Sequence, residues 1–414
     1  MFYKSQTGLI HDMPSPVTQA SPFFNGVAHM DSDKSHFIYL DHNATTPVNP
    51  AAAKAMKKMI DEEFGNPSSP YSLGTRAKER IESSRKDVAR LLGCKSHEIV
   101  FTSGGSESNN MVLKGVMDFR RPQDFHIISS GVEHPAILNP LLYLMELGVE
   151  ITILPVDRFG RVDPDDCRKA IQSKTSLISI MLANNETGTL EPVQEISKLA
   201  REHNIPVHTD AAQAVGKIPV HAYDLRVDFL TVAAHKLYGP KGVGALFVRE
   251  GRTLTPLIHG AAQENGKRAG TENTILAIGL GMACRVAAER LAEDTLNMKA
   301  MRDRLEFLLF DALDDLVLNG HPHERLPNTL NVSVPNIEGA KILEGLPDLM
   351  ASTGAACHDR SVRLSHVLAA MAVPTEIGMG ALRFTVGRSN TMAQIEEAAE
   401  MVVARVKALK AGKS

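Results

Sequence analysis

The chain has no tryptophan, 5% aromatic residues and only four cysteines in 414 residues. Those cysteines, Cys94, Cys167, Cys284 and Cys357, lie far apart, with no CxxC pair and no histidine at zinc-ligand spacing. This excludes a disulfide-stapled scaffold and a structural zinc site, and it suits the reducing cytoplasm. No apolar run approaches the roughly 18 residues of a membrane-spanning helix, so no membrane partner is expected. Charge of one sign does not dominate either: 45 Lys and Arg stand against 48 Asp and Glu, a formal net charge of −3. That balance argues against nucleic acid as a main partner. The dinucleotide fingerprint GxGxxG is also missing, which lowers the case for a nicotinamide cofactor.

Residues 1–35 carry Pro14, Pro16 and Pro22, no arginine and no continuous apolar segment. They read as a flexible or extended N-terminal arm, unlike a secretory signal or a mitochondrial presequence.

What the chain does have is 43% apolar residues, enough for a large core, arranged as short runs that alternate with helical patterns. Residues 98–104, 125–130, 149–156, 177–182, 205–210, 227–232 and 243–248 are rich in Ile, Val, Leu and Phe, as buried strands are. Between two of them, residues 191–204 place Val193, Ile196, Leu199 and Ala200 on one helical face, with Pro192 in the first turn. Repeated βα units predict a mostly parallel sheet covered by helices on both faces, a large α/β domain over 46–290. From about 291 to 414 the pattern becomes a charged helix, a strand-like "TLNVSVP" and a final helix, a smaller α+β domain to which residues 36–45 are assigned.

In open α/β sheets, ligands gather beyond the carboxyl ends of the strands. The segments in those places are not bland: "TSGGSESNN", "GVEHP", "ANNETG", "HTDAAQ" and "AAHK". The first leads into a helix whose free N–H groups suit a phosphate, although an ordinary capped loop would look similar. Asp210 ends one run, where a carboxylate can hold a ring nitrogen protonated or serve only a structural ion pair. Lys236 ends another. A lysine is usually a solvated surface residue, but in a crowded pocket desolvation makes it a usable amine nucleophile. A phosphate site, an aspartate for a pyridine nitrogen and a lysine for a Schiff base are together what pyridoxal 5'-phosphate (PLP) requires.

Ten motifs then coincide with one family: "LDHNATTP", "FGNPSSPYSLG", "FTSGGSESNN", "VEHPA", "ANNETG", "HTDAAQ", "AHKLYGPKG", "RAGTENT", "STGAACH" and "LRFTVGRSNT". From residue 38 to about 410 the chain resembles the class V aminotransferase fold family, in its cysteine desulfurase and selenocysteine lyase branch. The resemblance implies a PLP-dependent fold type I enzyme (aspartate aminotransferase-like) and a homodimer. It implies that Lys236 carries PLP and moves the Cα proton. Asp210 would pair with the ring nitrogen, Gln213 would reach the phenolic oxygen, and His134 would stack on the ring and pass protons. Gly105, Ser106 and His235 would hold the phosphate, joined by Thr271 reaching into the neighbouring subunit. Asn185 and Arg388 would grip the substrate carboxylate. Cys357, in a flexible small-residue loop beside His358, Arg360 and Arg363, would be the thiolate that takes the sulfur as a persulfide, whereas Cys284 reads as a buried, inert thiol.

Two departures from the family pattern stand out. Ala233 replaces a hydroxyl residue, and Gly260-Ala261-Ala262-Gln263-Glu264 replaces a Gly-Gly-Gly-Gln-Glu turn; both bear on cofactor affinity. The implied activity is conversion of L-cysteine to L-alanine with sulfur passed to an acceptor protein, as in iron–sulfur cluster assembly. Selenocysteine lyase is the alternative reading. An inactive scaffold homologue, and a transaminase that makes no use of Cys357, are further ones.

Overall fold

The computed structural model describes residues 37–412 except 118, 354, 359 and 360; the side chains of 355–358 and 361–363 are also outside the described set. The arm at 1–35 lies outside it too.

The seven apolar runs form one seven-stranded sheet. Its order is Ile99–Thr102, Gly244–Val248, Phe229–Ala233, Val207–Asp210, Thr175–Ser179, His126–Ser130, Glu150–Leu154. The strand Gly244–Val248 runs antiparallel to both neighbours, and the strands from Phe229–Ala233 to Glu150–Leu154 pair in parallel.

Strand side chains alternate between faces, and both faces are buried here. Ile128, Ile178, Leu230, Val232 and Phe247 enter one core, while Ile127, Leu177, Phe229 and Leu246 enter the other. Continuous apolar runs, rather than alternating ones, follow from that double burial. The helix expected over 191–204 is observed as Val193–Glu202, with Pro192 as its N-cap and Val193, Ile196, Leu199 and Ala200 buried.

A four-stranded antiparallel sheet, Ser352–Thr353, Ala381–Thr385, Thr329–Ser333 and Val317–Leu318 in that order, packs with the helix Met392–Lys410 around a further core containing Ile38, Leu40, Leu330, Val332, Phe384 and Ile395. The texture change near residue 290 is no chain break. One helix, Thr274–Ala312, runs through it, burying Ala277, Leu280 and Ala287 in the first core and Met298, Leu305 and Leu309 in the other.

Among the described residues no helix is long and apolar enough to cross a membrane, and no group of His, Cys, Asp and Glu could hold a metal ion.

Candidate active site

Parallel strands deliver their carboxyl ends to one edge of the sheet, and the segments that follow them close a cavity of about 420 Å³. That size suits a cofactor with a small substrate. Of the residues singled out from the sequence, Gly105, Ser106, His134, Asn185, Asp210, Gln213, His235 and Lys236 all line it.

Lys236 is placed by a single 3-10 turn, Ala234–Lys236, directly after the strand Phe229–Ala233. The turn packs so tightly that a Cβ on Gly239 would lie 2.9 Å from Ala234 Cβ, which is why glycine follows there. Lys236 Nζ donates to the main-chain carbonyls of Asn43 and Ala44. Burial, then the nearby Arg383, lowers its pKa to about 8, partly offset by Asp41 and Asp210. The amine is therefore far more available near neutrality than an ordinary lysine.

Asp210 accepts from Asn109 Nδ2 at 2.7 Å through one oxygen and from the Ala212 N–H at 2.9 Å through the other. Each carboxylate oxygen has a second lone pair to offer. The helix Gly105–Gly115 starts beside it. Its N-cap, Gly104, sits at φ 151° and ψ −179°, a conformation open essentially to glycine alone, and supplies no capping side chain, so the first-turn N–H groups have no partner among the described residues. Ala233 is 4% exposed and faces the start of this helix, since a Cβ built on Gly105 would lie 3.5 Å from Ala233 Cβ.

His134 caps the helix Pro135–Glu146, its Nδ1 accepting from the Ala136 N–H at 3.0 Å. A backbone N–H only donates, so Nδ1 is unprotonated and the neutral ring carries its hydrogen on Nε2. Burial, with Lys236 and His366 adding to it, lowers the His134 pKa, opposed by Asp210. His235 is likewise neutral, pushed down to about 4 by burial and the neighbouring lysines.

Three expectations need comment. Arg388 is not brought to the cavity: its Nε pairs with the buried Asp294, its guanidinium stacks 4.3 Å from the Tyr238 ring, and its main-chain N–H donates to Tyr238 Oη at 2.8 Å. These contacts hold it against Asp294 and Tyr238 rather than in the cavity lining.

The arginine at the cavity is Arg383, on the strand Ala381–Thr385, which sequence reasoning passed over. The signal was present in "LRFT", where Leu382 and Phe384 face the core and the residue between them must point the other way. Arg383 donates to Asn185 O at 3.0 Å, Asp41 Oδ1 at 2.7 Å and Ser352 Oγ at 3.0 Å, while its Nε is buried without a partner. Asn43, Asn109 and Lys217 were missed as well.

Thr271 is exposed and does not line this cavity. The backbone around Cys357, expected as a loop, is an antiparallel hairpin of Ala355–His358 with Ser361–Leu364, which pairs backbone groups that a loop would leave to solvent; the Cys357 side chain lies outside the described residues. The hairpin's base is fastened beside the cavity. Ser365 Oγ donates to Glu186, next to Asn185, and His366 Nε2 bonds the carbonyl of Glu133, next to His134, at 2.9 Å.

The altered turn at 260–264 keeps its anchors, because Ala261 and Ala262 are exposed. Glu264 forms a two-pronged pair with Arg85 at 2.6 and 2.9 Å and accepts from the Phe101 N–H, while Gln263 accepts from the Gly270 N–H at 3.0 Å.

The family described as Aminotransferase class-V matches residues 38–397. A protein of Dictyoglomus turgidum, named cysteine desulfurase IscS, is 49% identical over 356 residues, 86% of this chain and 90% of its own. The mitochondrial cysteine desulfurase of Arabidopsis thaliana is 41% identical over 90% of this chain and 83% of its own. Among solved structures, a NifS-like protein superimposes with a TM-score of 0.84 at 35% identity, covering 90% of this chain and 99% of that one. A structure titled as SspA in complex with cysteine gives a TM-score of 0.76 at 34% identity, covering 85% and 99%. With the fold, the lysine-bearing cavity and these relatives in agreement, the chain belongs to the class V aminotransferase family, among its cysteine desulfurases.

Proposed function

We propose that this chain is a PLP-dependent cysteine desulfurase that converts L-cysteine to L-alanine and takes the sulfur onto Cys357. The observation that carries the reading is the convergence on one cavity of a lysine with a pKa near 8, the Asp210 carboxylate and the open amino end of a helix. This donor set fits PLP: Lys236 would hold its aldehyde carbon, Asp210 its ring nitrogen, and Gly105, Ser106 and His235 its phosphate. When bound, PLP supplies an electron sink that weakens the bonds at the substrate's Cα and Cβ.

The chain's own groups do the rest. Arg383, rather than Arg388, receives the substrate carboxylate, since it lines the cavity with Asn185 beside it. Lys236, once displaced, moves the proton at Cα. His134, neutral and hydrogen-bearing at Nε2, has a site for a second proton only if it gives up its cap bond at Nδ1.

The sulfur needs a thiolate. Burial pushes Cys94 and Cys167 up to about 12 and raises Cys284 as well, which leaves Cys357. Its thiolate attacks the substrate sulfur as the Cβ–S bond breaks. The bonding electrons and a proton pass to what becomes the alanine methyl group, and the enzyme keeps a Cys357 persulfide. L-cysteine and one thiol thus give L-alanine and one persulfide, with no external oxidant or reductant.

A homodimer completes the phosphate site. Thr271 is exposed on a loop tied by Arg268 to Glu107, 2.9 Å away in the first turn of the phosphate-binding helix. Phe64 and Tyr71, 77% and 56% exposed, offer apolar surface for a second copy to cover. The persulfide is passed to an acceptor protein, and the setting is the cytoplasm, where thiols stay reduced.

The test is alanine formation by the PLP-loaded protein on L-cysteine and L-selenocysteine side by side, under reducing conditions. Turnover of L-cysteine that disappears in Cys357→Ala is expected. Turnover of selenocysteine with almost none of cysteine would make the chain a selenocysteine lyase, and turnover of cysteine untouched by Cys357→Ala would remove the persulfide step.

A further inference from the structure

Lys217 follows the strand that ends at Asp210 and is only 4% exposed, yet among the described residues it pairs with no carboxylate. Its Nζ donates instead to two neutral amides, to Gln213 Oε1 at 2.8 Å and to Asn43 Oδ1 at 2.9 Å. Burial, then the positive charges of Lys236 and Arg383, lowers its pKa well below that of an ordinary lysine. A methionine would fill the same space without that cost, so the position is explained by what the amine donates to.

Its two acceptors sit at the heart of the site. Gln213 accepts from Lys217 through Oε1 and donates one Nε2 hydrogen to the Asn43 carbonyl at 3.0 Å. That leaves the second Nε2 hydrogen as the amide's one unassigned donor, on a residue that lines the cavity, beside a second lone pair on Oε1. A flipped amide would set its NH2 against Lys217 and its oxygen against the Asn43 carbonyl. Asn43 is gripped on every side: Oδ1 by Lys217 and by Asn328 Nδ2 at 3.0 Å, Nδ2 by Thr329 Oγ1 at 2.9 Å, and its carbonyl by Gln213 and Lys236.

We infer that Lys217 is a positioning residue: it locks the Gln213 amide with a donor N–H turned to the cavity, where the phenolic oxygen of PLP is expected, and steadies the Asn43 carbonyl beneath Lys236. The inference rests on the PLP reading and assigns the lysine a task at the same site.

The experiment is a pH titration of the visible absorbance of the Lys236-bound cofactor in the holoprotein. An oxygen that loses a donor becomes more basic, so the chromophore's apparent pKa rises in Lys217→Met, by about one unit for the loss of one hydrogen bond. A lysine acting by its charge or by packing alone would give the same shift whatever stands at 213. The variant Lys217→Met is therefore also compared with its parent in a Gln213→Met background, where the Gln213 amide is gone and Asn43 Oδ1 keeps its bond from Asn328.

Equal pKa values within that second pair are expected, and the pair carries the test if the single variant fails to fold. A rise of about one unit in both backgrounds, or no rise in Lys217→Met alone, overturns the inference. A wild-type protein that forms no visible chromophore refutes the PLP reading instead.

Discussion

At the scale of the residue, the site turns on which charged side chains are held back by other partners and which are left with capacity for a ligand. Arg383 and Arg388 lie five positions apart in one motif, and only the strand-to-loop change between them sends the first to the cavity and the second to Asp294. Charge and spacing could not separate them, whereas the alternation through Leu382 and Phe384 could. Truncating Arg383 to Ala is expected to raise KM for L-cysteine about tenfold to a hundredfold, the worth of a charge-assisted hydrogen bond or two. Arg388→Ala is expected instead to lower thermal stability, since it leaves the buried Asp294 carboxylate with only the longer Arg290 contact at 3.3 Å; steady-state kinetics and melting curves separate the two outcomes.

Burial also gives this protein a stability dependence on pH with two opposed limbs. His42, His208 and His235 titrate near 4 in the folded chain against 6.5 in the unfolded one, so unfolding takes up protons between those values and stability falls as pH drops through them. Glu133, wholly buried, is pushed up to about 8 from 4.5 by desolvation, with one oxygen bonded to Ser130 and the Met181 N–H. Unfolding releases its proton, so its share of stability is lost as pH rises from 4.5 through about 8. Glu133→Gln keeps the shape and removes the ionisation. Its Tm is expected to fall less than the parent's over that rise, by about 2 °C or more, and an unchanged slope would contradict the assignment.

At the scale of the element, strand ends are where the sequence was most legible. Seven apolar runs were visible because both sheet faces are buried, and polar segments after them mark where buried backbone meets the cavity. Less legible was the helix Thr274–Ala312, whose apolar stripe changes partner midway, from the large sheet to the small one, so that its composition shifts without a break in the chain.

The hairpin at Cys357 was read as a loop because its small residues carry no strand pattern of their own. The junction of the strand Phe229–Ala233 with the helix Gly105–Gly115, proposed to bind the phosphate, yields a direct test. Ala233 Cβ stands against the start of that helix, so Ala233→Ser would place a hydroxyl within the phosphate's surroundings. Tighter PLP retention is expected, about tenfold, measured by cofactor dissociation during dialysis. Unchanged or weaker retention would mean that the free helix amides already saturate the phosphate oxygens.

At the scale of the whole molecule, single-chain geometry leaves Thr271 at the surface, where no sequence pattern within one subunit can show what it meets. The Gln263 and Arg268 contacts hold its loop in place. A dimer is expected by light scattering, and Thr271→Ala is expected to weaken PLP binding severalfold without dissociating it. A fully active monomer with tight cofactor would contradict the shared site.

Lys217 shows the same limit from the inside, since a lysine in sequence reads as solvated until its burial is seen.

The most direct test of sulfur transfer is the mass of the peptide containing Cys357 after a single turnover of L-cysteine, trapped under alkylating conditions. It should gain the mass of one sulfur atom in the PLP-loaded protein and none in Lys236→Ala. Full alanine formation with no added sulfur on Cys357 would contradict the central claim.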